Sequence, residues 1–235
     1  MNALESQFNL LILRRIAENE SGQMQIQLNG EEILLLPERA LFWEKEKCLF
    51  LSDLHLGKSG HFRKHGIAVS PQILYRDLDL LAGLINRYHP ERVMILGDLF
   101  HSTYNAEWEV VGDFFSEIPL SFELVPGNHD ILHKEHYLDC GLRLREEGHQ
   151  VGPFRLYHEP EHIDQNKGFA LAGHIHPGIR MQGGGRQSLR FPCFHFTEAY
   201  GILPAFGQFT GLVIVYPKPS DEVYAIVESD VIKVL

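Results

Sequence analysis

Five short segments of this 235-residue chain end in side chains that can bind a metal ion or move a proton. The first is Ser52-Asp53-Leu54-His55, reached from the apolar pair Phe50-Leu51. If this segment stays extended, residues two apart point the same way, so Asp53 and His55 can converge on one ion. The second runs through Val93-Met94-Ile95-Leu96 into Gly97-Asp98, where the glycine lets the backbone turn tightly before a carboxylate. In the third, Val125-Pro126-Gly127-Asn128-His129-Asp130, one turn holds an amide, an imidazole and a carboxylate. The fourth, Arg155-Leu156-Tyr157-His158, ends in a lone histidine, and the fifth, Leu171-Ala172-Gly173-His174-Ile175-His176, ends in two. Singly these are ambiguous. An aspartate after a strand is commonly a turn or cap residue, a lone histidine is commonly a hydrogen-bonded structural group, and Gly-Asn-His-Asp is an acceptable tight turn. Those readings do not account for five apolar segments in succession, each finishing in an O or N donor. The donors include no thiolate, which suits Mn²⁺, Fe or Zn²⁺ rather than a sulfur-seeking ion.

The elements that must position these residues are legible from periodicity. Gln23–Leu28 and Glu31–Leu36 flank the hairpin dipeptide Asn29-Gly30, and Leu41–Trp43 and Cys48–Leu51 follow as short strands. Pro71–Tyr88 has its apolar residues at helical spacing, with Ser70 as the expected cap. Arg92–Leu96 reads as a buried strand, Trp108–Ile118 as a helix and Ser121–Val125 as a strand. Further strands are expected at Phe154–Tyr157, Gly168–Leu171, Gly211–Tyr216, Val223–Val227 and Val231–Val234. Strands alternating with helices in the middle, and strands at both ends, imply two packed sheets flanked by helices. Each donor then falls on a loop after the carboxyl end of a strand, where α/β folds place their ligands. No repeat or linker interrupts the chain, so 1–235 is read as one domain.

The ordered set D-x-H, G-D, G-N-H-D, H and G-H-x-H resembles the calcineurin-like metallophosphoesterase superfamily, over roughly Leu49 to Pro177. The resemblance implies an α/β fold, a four-layer αββα sandwich of two mixed sheets flanked by helices. It implies two divalent ions, Mn²⁺ first with Fe or Zn²⁺ as alternatives. By position, Asp53, His55 and His176 would hold one ion, Asn128, His158 and His174 the other, and Asp98 would bridge them. Two ions ~3.5–4 Å apart would clamp a phosphoryl group and lower the pKa of a water shared between them, giving hydroxide for in-line attack. Asp98 and His129 are then the catalytic pair, with His129 protonating the leaving oxygen. Asp130 is expected to cap a helix, the other option being that it orients a ligand.

Two departures narrow the branch. Gly97-Asp98-Leu99-Phe100-His101 lacks the second aspartate and the arginine of the protein-phosphatase pattern G-D-x-x-D-R-G, and His129 replaces the arginine of the G-N-R-D lipid-A-precursor branch. The stretch from Ser52 to Ile67, with Pro177 and Gly183-Gly184-Gly185-Arg186, is similar to the bacterial DNA-ligase-associated metallophosphoesterases, a family of DNA-damage-response endonucleases. That likeness implies a phosphodiester substrate such as single-stranded or damaged DNA, and association with a DNA ligase and a repair nuclease or helicase. Lys58, Arg63 and Lys64, with His61 and His65, place positive charge just after a metal-capable loop, and Arg186 and Arg190 flank a glycine-rich one. Arg63, Lys64, His101 and Arg186 are therefore candidate substrate contacts. A solvated surface for Arg63 and Lys64, an acidic partner for Arg186 and a capping role for His61 and His65 remain open. His195 and Tyr104 are further pocket candidates on their chemistry alone.

Bulk composition limits the alternatives. A net charge of −10 gives no general attraction to nucleic acid or anionic lipid, so a phosphate substrate needs a local positive field. The same charge favours a second reading, hydrolysis of a small nucleotide or metabolite ester. A third reading, an interaction module that binds metal without turnover, is opposed by seven filled ligand positions together with His129. Cys48, Cys140 and Cys193 are widely spaced and odd in number, which fits buried thiols in a reducing compartment. The apolar run Phe8–Leu13 is shorter than a signal-peptide core, and nothing approaches a membrane span of ~18 apolar residues, so the expected location is the cytoplasm, with no membrane partner.

Overall fold

The computed structural model describes residues 22–58, 70, 72–182 and 188–235. The apolar run Phe8–Leu13, the stretch holding His61, Arg63, Lys64 and His65, and Arg186 lie outside the described residues. The first sheet has the order β1-β2-β3-β4-β5-β6-β7, formed by Met24–Leu28, Glu31–Leu36, Ala40–Trp43, Cys48–Ser52, Arg92–Leu96, Ser121–Val125 and Arg143–Leu144. β1 to β4 are antiparallel, while β4 to β7 are parallel. The second sheet is also mixed. Its main path is β14-β11-β12-β13-β10-β9-β8. These strands are β8 (His149–Val151), β9 (Phe154–Leu156), β10 (Phe169–Ala172), β11 (Pro177–Gln182), β12 (Ser188–Phe196), β13 (Tyr200–Ile202) and β14 (Val213–Ile214). β15 (Glu222–Val227) pairs with β12 and with β16 (Asp230–Lys233).

Strand alternation divides the apolar residues between two cores. Phe50, Met94, Leu96 and Val125 face inward and meet Phe154, Leu156, Leu171, Phe194 and Phe196 of the second sheet. Leu49, Leu51, Val93, Ile95, Phe122 and Leu124 face the opposite way, onto the helices. Buried on both faces, β4 and β5 are apolar at four of five positions, as parallel strands covered on both sides must be, while β6 also buries Glu123, which pairs with Arg92 and Arg145.

Helix α1 (Gln72–Tyr88) packs Leu74, Leu78, Leu81 and Leu84 on the first sheet. As expected, Ser70 caps it: its Oγ accepts from the Gln72 N–H at 3.3 Å. The helix ends at His89, which turns left-handed (φ 46°) ahead of Pro90, a residue that disfavours a helical predecessor. Helix α2 (Ala106–Glu117) begins two residues before the Trp108 expected from periodicity, because Asn105 Oδ1 accepts from the N–H groups of Glu107 and Trp108. A short helix, α3 (Lys134–Asp139), follows the Gly-Asn-His-Asp turn. The expected strand Gly211–Tyr216 shrinks to Val213–Ile214, whereas β7, β8, β11, β12 and β13 are additional to the expected strands. The three cysteines are free and buried, and burial pushes Cys48 and Cys193 up to about 12, so they behave as inert core groups.

Candidate metal centre

β4, β5, β6, β9 and β10 end at Ser52, Leu96, Val125, Leu156 and Ala172, each within three residues of a donor named above. The first three run parallel in one sheet and the last two parallel in the other, so the five loops leave the same edge of the inter-sheet core. Backbone hydrogen bonds latch the loops together. Asp53 N–H donates to the Gly97 carbonyl at 3.1 Å, His55 N–H to the Asp98 carbonyl at 2.8 Å, and Gly173 N–H to the His158 carbonyl at 3.1 Å.

Two groups of donors result. Asp53, His55 and His176 form one, and Asp98, His158 and His174 the other. In the first, the His55 and His176 Nε2 atoms are 3.1 Å apart and His176 Nε2 is 3.3 Å from Asp53 Oδ1. In the second, His158 Nε2 lies 3.1 Å from His174 Nδ1, 3.1 Å from Asn128 Oδ1 and 3.4 Å from Asp98 Oδ1. Asp98 reaches both, since its Oδ2 is 3.6 Å from His55 Nε2. Asp53 and His55 do converge, but not through strand alternation. β4 has ended, and both residues are left-handed (φ 53° and 47°), as are Asp98 (52°), His174 (68°) and His176 (51°). Each such residue costs on the order of 1–3 kcal/mol, and the latching bonds hold it there.

The proton inventory tests whether a cation fits. His158 Nδ1 is 3.0 Å from the Leu96 carbonyl oxygen, a pure acceptor, so in the neutral ring Nδ1 carries the hydrogen. Its Nε2 lone pair then faces the oxygens of Asn128 and Asp98 with no hydrogen between them. A cation satisfies that arrangement. Burial likewise pushes the His55 pKa far below its usual value, holding that ring neutral and able to ligate. Glycines leave room for the donors: a Cβ on Gly127 would lie 2.3 Å from Asp98 Oδ1, and one on Gly173 would lie 2.6 Å from Asp53 Oδ2.

His129 belongs to neither group. Its N–H donates to Asp98 Oδ1 at 2.9 Å, while its ring lies against His101 (centroids 3.8 Å) and edge-on to His55 (5.5 Å). Burial lowers its pKa, opposed by the Asp98 charge. His101 Nδ1 sits 2.9 Å from His55 Nδ1, so it braces that ring from behind. Burial also lowers Lys58, against the pull of Asp98 and Asp53, which places its charge in the field of the centre. Asp98 is raised, first by burial.

Asp130 does not cap α3. Its Oδ1 accepts from Phe100 N–H at 3.1 Å and its Oδ2 from Gly127 N–H at 2.8 Å, tying the Gly97-Asp98 loop to the Asn128-His129 turn. Two free loop N–H groups compete better for the carboxylate than the helix start does, and His133 has no side-chain cap bond. Burial raises Asp130 to about 7. Of the remaining candidates, His195 lies away from both groups, its Nε2 donating to Asp221 Oδ2 at 2.9 Å, and Tyr104 is exposed with its ring tilted against His136. Sequence reading missed a second support: Asp77 Oδ1 accepts from Gln208 N–H, and Arg39 donates to the Ala205 and Gly207 carbonyls. The Gly207 N–H in turn donates to the Asp53 carbonyl. The two side chains and the backbone they hold come from three distant segments, and no local pattern links them.

Among the described residues, no helix is long and apolar enough to cross a membrane. Residues 47–213 match the family model for calcineurin-like phosphoesterases. The nuclease MPE of Pseudomonas putida is similar in structure, with a TM-score of 0.77 and 29% identity, covering 90% of this chain and 100% of that one. Yfce, a phosphoesterase from E. coli, aligns with a TM-score of 0.45 and 16% identity over 79% of this chain and 96% of that one. No curated protein matches the chain.

Proposed function

The chain belongs to the calcineurin-like phosphoesterase family and is a metal-dependent phosphoesterase; from that premise we propose that it is a dinuclear phosphodiesterase acting on DNA. What carries the reading is the pair of donor groups that share Asp98, with His129 beside them but outside both. Asp53, His55 and His176 would hold one ion, Asn128, His158 and His174 the other, with Asp98 between. The ions, Mn²⁺ first with Fe or Zn²⁺ as alternatives, would supply Lewis acidity at the phosphoryl oxygens and a lowered pKa for water. His129, free of ligand duty, donates its proton to the leaving oxygen. His101 holds His55 in place and lines the same side as His129. The nucleic-acid substrate draws support from the likeness to the Pseudomonas putida nuclease and from Lys58 beside the centre. Arg63, Lys64 and Arg186 join it as proposed substrate contacts. A role in DNA repair within the cytoplasm, as one domain spanning 1–235 and in association with a ligase and a repair nuclease or helicase, completes the proposal.

Turnover with Mn²⁺ should be measured on a nitrophenyl phosphodiester, the matching monoester and single-stranded DNA. Cleavage of the diester and of DNA is the expected result. Hydrolysis of the diester without any cleavage of DNA would shift the assignment to a small nucleotide or metabolite ester, the reading that the net charge of −10 favours.

A further inference from the structure

β11 begins at Pro177, the residue after His176, so this strand carries the chain directly away from the metal centre. It pairs antiparallel with the exposed first half of β12, and in that register Arg180 stands directly opposite Arg190. Residues directly opposite on an antiparallel pair have Cβ atoms ~4.5–5.5 Å apart, and like charges there are destabilising. Arg180 and Arg190 are both exposed. Among the described residues, no carboxylate forms an ion pair with either guanidinium. Two unneutralised arginines across one ladder rung are conspicuous in a chain with ten more acidic than basic residues.

Their direction follows from alternation. Arg190 shares a β12 face with Phe194 and Phe196, which pack between the two sheets. The donor loops leave the edge of that same inter-sheet layer. The arginine face is therefore the outward continuation of the layer that ends in the metal centre. Across the ladder, Leu189 and Met181 point the other way.

We propose that Arg180 and Arg190 together form a phosphate clamp that grips the nucleic-acid backbone away from the scissile bond. This rests on the nucleic-acid reading above and adds a second contact to it. Guanidinium groups suit the task, because their planar N–H forks match phosphate oxygens and cost less desolvation than ammonium. The clamp also reconciles the acidic chain with a polyanionic substrate: the positive field is concentrated on one ribbon and at the metal loops rather than spread over the surface.

The test uses the full chain with Mn²⁺, comparing wild type, the double variant Arg180→Ala/Arg190→Ala and the double variant Arg180→Lys/Arg190→Lys. Substrates are a single-stranded oligonucleotide and a nitrophenyl phosphodiester too small to reach the ribbon. The alanine pair should cleave the oligonucleotide at least ~10-fold less efficiently in kcat/KM, mainly through KM, with the small diester unchanged. The slope of log binding constant against log salt should fall by about 1.4, two phosphate contacts at ~0.7 each on a single strand. The lysine pair should retain the salt slope but bind more weakly. Unchanged oligonucleotide cleavage and salt slope in the alanine pair would overturn the clamp while leaving the nucleic-acid reading intact. A wild type that cleaves the diester and neither binds nor cuts the oligonucleotide overturns both. Equal losses on both substrates would also overturn it, by assigning the arginines to the stability of the centre.

Discussion

Gly127→Ala is the sharpest test of how the centre is packed. Gly127 has no positive φ that would exclude alanine, so the effect is steric alone. The new Cβ would lie 2.3 Å from Asp98 Oδ1, 2.6 Å from the Asp98 backbone nitrogen and 2.8 Å from His158 Nε2. Real Cβ contacts stay beyond 3.0 Å, so the carboxylate oxygen must retreat by at least 3.0 − 2.3, about 0.7 Å. Metal–ligand distances tolerate about 0.2 Å. The displaced atom belongs to the carboxylate between the two donor groups, and the other two contacts are backbone and ring, which cannot swing aside. Metal affinity should therefore drop by at least the ~10–100-fold typical of disturbed ligand support. Isothermal titration of the metal-free protein with Mn²⁺, alongside metal content after dialysis, reads this directly. Gly112→Ala serves as the control: its Cβ would meet Cys140 Cβ at an ordinary 3.7 Å in the middle of α2, and helix propensity predicts a gain of about 0.5–1 kcal/mol. Wild-type Mn²⁺ affinity in Gly127→Ala would refute the packing argument.

Other substitutions separate the roles around the centre. Asp98→Asn should cost more metal and more activity than His55→Ala, because Asp98 oxygens lie 3.4 and 3.6 Å from histidines of both groups; the reverse order in elemental analysis would remove the bridge. His129→Ala should retain both ions and slow an alkyl ester by ~10²–10⁴-fold, with a much smaller loss for a nitrophenyl ester whose leaving group needs no proton. Equal loss on both esters, or loss of an ion, would remove His129 from the acid role. Asp77 is raised by burial from 3.8 to about 6. Its folded form holds the proton more tightly than the unfolded chain, so wild-type stability should fall as pH rises from about 4 to 6. The size is at most about 2.2 × 1.36, or 3 kcal/mol. Asp77→Asn should therefore gain on the wild type in chemical denaturation between pH 4 and 7; a constant gap across that range would contradict it.

Much of this protein was legible along the chain because its information is local. β4 and β5 are five-residue strands with four apolar positions each, β6 ends in the apolar pair Leu124-Val125, each leads into a donor, and α1 carries its leucines on one face with Ser70 ahead of them. The loops after those strands needed no long-range knowledge to be flagged, since residue type and order sufficed. What tertiary structure decided was how the donors meet. Asp53, His55, Asp98, His174 and His176 are left-handed, a conformation uncommon for any residue but glycine and held here by hydrogen bonds between loops far apart in sequence. Asp130 chose Phe100 and Gly127 over a helix start because folding brought those N–H groups to it. The support from Arg39, Asp77 and Gln208 joins three remote segments. β12 escaped notice because Pro192 and Arg190 interrupt its apolar alternation; it forms because β11, β13 and β15 supply partners along its length. The pairing of Arg180 with Arg190 belongs wholly to that register, and register is set by contacts between strands rather than by either strand alone.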